Sequence, residues 1–386
     1  MDFGETPEHE MLRVAVRDVA GQFGHAYYAE QARTGGRADA LWKAVGDLGF
    51  LGVHLPEEYG GGGGGLYDLA IVSEELAAQG CPLLLILVSP AICGELLAKF
   101  GSDAQKRRWL EPMAAGAKMV FAITEADAGS NSHNLATMAT RDGDVYRLRG
   151  SKTFISGVDE APAMIVVART GSDPDTGRAR LSLFVVDTDS PGLERTLIPV
   201  EISAPEKQFT LYFDNVEVDA DRLLGERDEG LRQVFVGLNP ERIMSATICT
   251  GIGRYALERA VEYARERAVW GTPIGRHQGI AHPLAIAKIE LELARLMTAR
   301  AAWMHDHSED RVAAGEAANM AKYAAAEAGL HALDAAIQTH GGNGLASEYG
   351  LADLWGMVRL LRIAPVSREM VLNFVAQQSL GLPKSY

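Results

Sequence analysis

The apolar residues of this chain change period twice, and that change limits the possible folds more than any single motif does. From Pro7 to about residue 115 they recur every three to four positions. Pro7 to His25, Asp39 to Leu48, Leu66 to Gln79, Pro82 to Phe100 and Asp103 to Ala115 read as helices. Near Lys118 the pattern turns to alternation. Met119–Thr124, Val145–Leu148, Lys152–Ser156, Met164–Ala168, Leu181–Val186 and Phe209–Phe213 read as short strands, separated by Asp142-Gly143, Asp173-Pro174 and Pro191-Gly192. After Gly225 the helical period returns and lasts to the end. Helices, then strands, then helices is the order of segregated α+β units, and the lack of βαβ alternation argues against a doubly wound dinucleotide fold. With 386 residues the chain needs more than one core. The expected units are an N-terminal helical domain over 1–117, an antiparallel β domain over 118–225 and a C-terminal helical unit over 226–386.

The longest helical stretch is Leu238–Gly271, for which Asn239 reads as the N-cap and Pro240 as the first helical residue. At roughly 1.5 Å per residue, Glu241 and Arg267 lie ~39 Å apart along its axis. One small site cannot use both. Either they do separate jobs, or each serves a different active site of an oligomer.

Composition excludes several classes. The 37 basic against 51 acidic residues leave a net charge of −14, which argues against broad nucleic-acid or anionic-membrane binding. The three cysteines, Cys81, Cys93 and Cys249, follow no metal-ligand or CxxC spacing and read as reduced, buried thiols of a cytoplasmic protein. The acidic amino-terminal stretch MDFGETPEHEMLRVAVRD lacks the pattern of a signal peptide, and no apolar run is long enough to span a membrane. Glycines 60–65 have neither GxGxxG nor Walker order, so they read as a mobile surface loop rather than a phosphate cradle.

Three stretches are too specific for packing alone. FAITEADAGSNS (121–132) is a strand running into a loop of small hydroxyl and amide residues. KTFISG (152–157) puts an aromatic and a hydroxyl two residues apart, on one face of a strand, which suits a planar heterocycle. QTHGGNG (338–344) follows a helix with glycines that allow close backbone approach.

In order, FAITEADAGS, KTFISG, a helix opening on Glu241-Arg242 and ending RERAVWG, GRHQGI and HGGNG resemble the acyl-CoA dehydrogenase family over essentially the whole chain. The resemblance implies a central antiparallel β-barrel-like domain between an N-terminal helical domain and a C-terminal four-helix bundle. It implies non-covalent FAD, α,β-dehydrogenation of an acyl-CoA thioester, a homotetramer or homodimer, and electron-transferring flavoprotein as acceptor. Phe121, Ile123 and Thr124 match the segment along the isoalloxazine. Gly129 and Ser130 match the loop at the cofactor, with Ser130 near the flavin phosphate and the CoA portion of the substrate. Phe154 replaces the usual tryptophan, Ser156 the usual threonine near flavin N5, and Ser367 another threonine near the flavin. Arg267 matches the partner of the FAD pyrophosphate and Trp270 an aromatic beside the cofactor; a planar guanidinium suits bidentate phosphate contact. Ile274 falls among the cofactor contacts, while Gln278, Gln338, Gly341 and Gly342 match positions that hold the adenosine half, reached across a subunit interface.

The reaction needs a carboxylate to take the α-proton while the β-hydrogen leaves as hydride for the flavin. Many relatives carry it near the C-terminus. Here the corresponding stretch reads RIAPVS (362–367), with Pro365 at the glutamate's place. A minority, resembling the isovaleryl and long-chain branches, puts the base on the long helix before an arginine, and Glu241-Arg242 matches that arrangement. Glu241 is therefore the expected base, with Arg242 helping to orient the local carboxylate or backbone network, and both are expected to touch substrate. At the second helical position the macrodipole is expected to favour the carboxylate, and burial to oppose it. The same motifs also fit a same-fold acyl-CoA oxidase or flavin monooxygenase and, given Pro365, a non-catalytic acyl-CoA- or FAD-binding scaffold.

Overall fold

A computed structural model describes residues 5–384; the first four residues of the amino-terminal stretch read above lie outside the described residues. The N-terminal region is helical: α1 (Pro7–Gly21), α2 (Gly24–Thr34), α3 (Asp39–Asp47), α4 (Leu66–Ala78), α5 (Leu84–Ile86), α6 (Glu95–Phe100), α7 (Asp103–Gln105) and α8 (Glu111–Ala114). A wider, π-type turn over Leu87–Gly94 joins α5 to α6 and accommodates Pro90. Thr6 caps α1 by accepting from the His9 amide, and Pro7 takes the first turn, where its missing N–H costs nothing. Between α3 and α4, residues 60–65 lie at the surface but are tied down. The amides of Gly62, Gly63 and Gly64 donate to the carbonyls of Gly52, Leu55 and Val53, each at 2.9 Å.

The β region has β1 (Met119–Ala122), β2 (Met138–Asp142), β3 (Val145–Ser156), β4 (Ala163–Ser172), β5 (Ala179–Asp187), β6 (Leu193–Ile198), β7 (Gln208–Asp219) and β8 (Leu223–Leu224). They form one eight-stranded sheet in the order β6-β7-β3-β2-β4-β5-β8, with β1 also on β4. The sheet is antiparallel except at its centre, where β1 and β2 run parallel to β4. The excursion through β2 and β3 is long enough for a crossover, which parallel pairing requires and a tight hairpin cannot supply.

The C-terminal region consists of α9 (Gly230–Glu266), a small hairpin β9 (Ala268–Val269) and β10 (Thr272–Pro273), α10 (Gln278–His307), α11 (Arg311–His340), α12 (Trp355–Ile363) and α13 (Arg368–Phe374). α9 differs from the reading above. It begins at Gly230, not at Asn239, and its 37 residues make a rod about 55 Å long. Pro240 therefore sits inside the helix, where it removes the bond to the Val236 carbonyl. Buried Val234, Gly237, Ile243 and Met244 outweigh that penalty by packing. Gly237 marks the tightest approach: a Cβ there would lie 2.9 Å from Ile92 Cγ2 and 3.2 Å from the Ile92 carbonyl.

A buried ion cluster joins the two helical regions. Glu74 and Glu75 of α4 are buried, and Arg13 Nη1 donates to both, at 2.7 and 2.8 Å. Arg295 of α10 donates to Glu74 at 2.6 Å, and Arg254 of α9 to Glu75 at 2.7 Å. Burial alone would raise the Glu74 pKa, but Arg295, Arg13 and Arg254 outweigh it and hold it at about 2. All three cysteines are free and buried.

Candidate active site

The first two motifs are locked to each other by a pair that the sequence reading passed over. Lys152 of KTFISG is fully buried, and its ammonium donates to Glu125 of FAITEADAGS at 2.7 Å and to the Ile123 carbonyl at 2.9 Å. Glu125 also accepts from the amides of Ala136 (2.6 Å) and Thr137 (3.0 Å), which folds the loop after β1 back on itself. Burial pushes Lys152 down to about 8 against the pull of Glu125. The Thr153 amide donates to the Thr124 carbonyl at 2.9 Å, so the two motifs lie side by side. Phe121 is buried, Ile123 and Thr124 are half-buried, and Gly129 and Ser130 are exposed, with open space where a Gly129 side chain would project.

Phe154 stands in a bulge. The register of β3 against β7 slips between Lys152 and Ile155, and Phe154 has a left-handed φ of 55° with 59% of its surface exposed. Ser156 follows the bulge and donates from Oγ to Gln208 at 2.9 Å. Trp270 repeats the theme at the other end of α9. With Gly271 it forms the two-residue turn of the β9–β10 hairpin, where both φ values are positive, at 53° and 79°. Asparagine is the usual residue at the first of these positions. Here the hairpin tip presents an indole that is 87% exposed. Phe154 and Trp270 are thus both large aromatics in left-handed backbone that face solvent.

Around Trp270 the predicted anchor residues gather. Arg267 is the C-cap of α9, exposed and without an ion pair among the described residues. The half-buried Ile274 donates its amide to the Arg267 carbonyl at 2.8 Å, and Gln278 opens α10 in the open. Gln338 is exposed on the last turn of α11, and Gly341 and Gly342 follow with nothing in the space above them. This turn is fixed to α9: His340 stacks on Tyr263 at 4.2 Å, and Asn343 donates to the Tyr263 hydroxyl at 3.1 Å. The 338–342 turn and Arg267 are therefore neighbours.

Glu241 lies far from that group, 26 positions back along the helix. Its surroundings are walled by the Leu87–Gly94 turn, which touches both other regions. Cys93 faces Glu241 and the Ile165 backbone of β4, and Met119 of β1 donates its amide to Ser89 at 3.0 Å. Glu241 is half-buried, and burial drives its carboxyl up to about 8 against Arg242 and Lys322. The expectation that the macrodipole favours its anion does not hold. With α9 starting at Gly230, Glu241 is three turns inside the helix, beyond the end effect. Nor does Arg242 hold its neighbour's carboxylate. Adjacent helix residues face apart, and Arg242 Nη1 donates instead to Asn239 Oδ1 at 2.7 Å. Arg242 is 91% buried, and its Nε has no hydrogen-bond partner among the described residues.

Family models for the N-terminal, middle and C-terminal domains of acyl-CoA dehydrogenase match residues 6–117, 120–216 and 228–380. The chain belongs to the acyl-CoA dehydrogenase family. It is 56% identical to acyl-CoA dehydrogenase FadE12 of Mycobacterium tuberculosis over 385 residues, covering 100% of this chain and 99% of that protein. Among solved structures it is similar to butyryl-CoA dehydrogenase from Megasphaera elsdenii, with a TM-score of 0.92 at 28% identity over 98% of this chain and 100% of that one. A glutaryl-coenzyme A dehydrogenase–glutaryl-CoA complex gives 0.92 at 30% identity, over 100% and 98%.

Acyl-CoA dehydrogenases are FAD-dependent, and the residues present here fit that cofactor. A flat, phosphate-bearing ligand asks for exposed aromatic faces, a free guanidinium and glycines with open space. Phe154, Trp270, Arg267, Gly129, Gly341 and Gly342 meet those requirements. Ser367 has a second occupation. It caps α13, accepting from the Met370 amide at 3.2 Å. Pro365 sits half-buried between α12 and α13 and offers no ionisable group. Sequence reasoning missed Glu125 and Lys152, although both lie inside the quoted motifs. A charged pair flanking two motif strands was the available signal.

Proposed function

We propose that this acyl-CoA dehydrogenase converts an acyl-CoA thioester to the trans-2-enoyl-CoA, with Glu241 as the base. The observation that carries this reading is the Glu241 carboxyl, recessed and raised to about 8 while Pro365 leaves the alternative position empty of acid. A thioester α-C–H is a weak acid, so a carboxylate made more basic by burial is the better acceptor. Glu241 takes the α-proton and becomes the neutral acid that its surroundings favour. FAD, when bound, supplies the two-electron acceptor for the β-hydrogen. Phe121, Ile123, Thr124, Gly129, Ser130, Phe154 and Ser156 would hold its ring half, with Ser367 close by. Ser130 and Arg242 would hold the substrate with Glu241.

The second group, Arg267, Trp270, Ile274, Gln278, Gln338, Gly341 and Gly342, would complete the site of a neighbouring copy. Separation along α9 supports this, and so does a stripe of exposed apolar residues on α10 at helical spacing: Ile286, Ile289, Leu293, Leu296 and Trp303. A homodimer or homotetramer is the corresponding assembly, with electron-transferring flavoprotein as acceptor. A cytoplasmic location is part of the same proposal; no described helix is long and apolar enough to cross a membrane.

The test is anaerobic. Acyl-CoA bleaches the yellow holoenzyme, and Glu241→Gln slows bleaching about 10³-fold while FAD is retained. A variant that bleaches at the wild-type rate removes Glu241 as base. A wild type that no acyl-CoA from C4 to C16 bleaches is a binding scaffold. Reduced enzyme that turns over in air without an added acceptor is an oxidase or monooxygenase.

A further inference from the structure

One buried cation has no part in the chemistry above. Lys322 of α11 keeps 1% of its surface exposed, and its ammonium donates to the carbonyls of Arg362 at 3.0 Å and Val366 at 2.6 Å. These carbonyls bracket Pro365. Glu327, further along α11, ties the same stretch from outside, accepting from Arg362 Nε at 2.6 Å and Arg368 Nε at 2.9 Å. The link between α12 and α13 is thus clamped to α11 at two points.

Clamping alone does not call for a charge inside the protein. Burying an ammonium forfeits its hydration, and carbonyl dipoles leave the charge itself uncompensated. Lys322 makes no ion pair within 4.0 Å among the described residues. The groups that act on it electrostatically are Cys249, Arg242 and Glu241 of α9 and Glu369 of α13. Those acting on Glu241 are Arg242 on its own helix and Lys322 on α11, while Cys93 faces it from the Leu87–Gly94 turn. Arg242, the stronger of the two cations acting on Glu241, sits on the same helix with its guanidinium tied to Asn239, and Lys322 is the cation that acts on Glu241 from across the helix interface.

We propose that Lys322 is a positioning residue for Glu241: anchored on two carbonyls of the 362–366 stretch, its ammonium holds a fixed positive charge opposite the carboxylate and keeps Glu241 available as the anion that takes the α-proton. This rests on Glu241 being the base. Burial drives Lys322 down to about 8 and Glu241 up to about 8, and the attraction between the two opposes both shifts and so favours the charged form of each.

The experiment follows anaerobic flavin reduction from pH 6 to 10 in holoenzyme. The probe is whichever acyl-CoA from C4 to C16 reduces wild type fastest. Reduction needs the carboxylate, so the rate rises with pH along an acid limb. Removing a cation that favours the anion moves that limb to higher pH. Lys322→Met shifts it by at least one unit, lowers the rate at pH 7 about tenfold, and leaves the high-pH plateau near wild type. Hydrogen exchange in residues 362–368 speeds up in the same variant. Lys322→Arg restores both limb and exchange, and Lys322→Gln shifts the limb as Met does if Met does not fold. An unmoved limb in Met or Gln, or an equal shift in Arg, overturns the proposal. The two readings fail separately. If Glu241→Gln is inert and the Lys322 variants keep the wild-type limb, only the role of Lys322 falls. If Glu241→Gln reduces flavin normally, the base assignment falls and takes this proposal with it.

Discussion

Glu74 and Glu241 are the same side chain, one on α4 packed against α9 and the other on α9 itself, in opposite electrostatic states. Glu74 is packed between α1, α4, α9 and α10 with Arg13, Arg254 and Arg295 around it, and its carboxyl is held at about 2. Glu241 has Arg242 turned away and Lys322 beyond ion-pair distance, and it rises to about 8. Burial pushes both upward; the number of guanidinium groups within reach decides the outcome. At the joint between helical regions the fold neutralises its acid completely. At the proposed site it withholds that compensation, so a carboxylate there keeps its appetite for a proton.

Removing the neutralised acid gives the largest effect expected from this contrast. Glu74→Ala takes one carboxylate from three half-buried guanidinium groups, of which Arg13 and Arg254 keep Glu75, and lowers stability by about 3 kcal/mol in denaturant melts at pH 7. The Glu74 pKa is depressed, so its contribution is present above the ordinary value of 4.5 and is lost as pH falls through about 2. Wild type and variant therefore converge in acid. The other glutamate behaves oppositely. Its pKa is raised, so its stability contribution is intact below 4.5 and is lost as pH rises through about 8. Apo Glu241→Gln is accordingly more stable than wild type at pH 7, by at most about 3 kcal/mol, with no difference near pH 4. A gain that persists unchanged in acid would show that desolvation of the charge is not its cause. The smallest change concerns the far end of α9. Arg267→Ala weakens FAD binding about 30-fold, roughly 2 kcal/mol, in a flavin fluorescence titration, whereas Glu241→Gln leaves it unchanged.

Much of this architecture is written locally. The switch from helical to alternating period near Lys118, and back after Gly225, survives in the structure because each region buries its own face. Strands without that signal went unread. Met138–Asp142 and Leu193–Ile198 are exposed along most of their length, so neither alternates in hydrophobicity. The start of α9 was misplaced because Pro240 has the local signature of a first helical turn, while the packing of Gly237 on Ile92 that keeps it internal is tertiary. For the same reason the Glu74 cluster was invisible: Arg13, Arg254 and Arg295 come from three distant parts of the chain. Within the site, Glu241 stood out only against Pro365, and Arg267 and Trp270 only through their motif. Lys322 sits in an alanine-rich helix with nothing beside it in sequence to betray a role; its partners are two carbonyls about forty residues on.

The continuity of α9 has a consequence for how such a protein tolerates change in length. Between Glu241 and Arg267 the chain counts turns as well as distance. One residue inserted anywhere in that interval would advance Arg267 by ~1.5 Å and swing it about 100° around the axis. A loop absorbs an extra residue as slack, but a rod converts it into rotation. If the proposed sharing of a ligand between two protomers holds, natural insertions and deletions are excluded from residues 242–266, because helical phase on this one element then sets where Arg267 points.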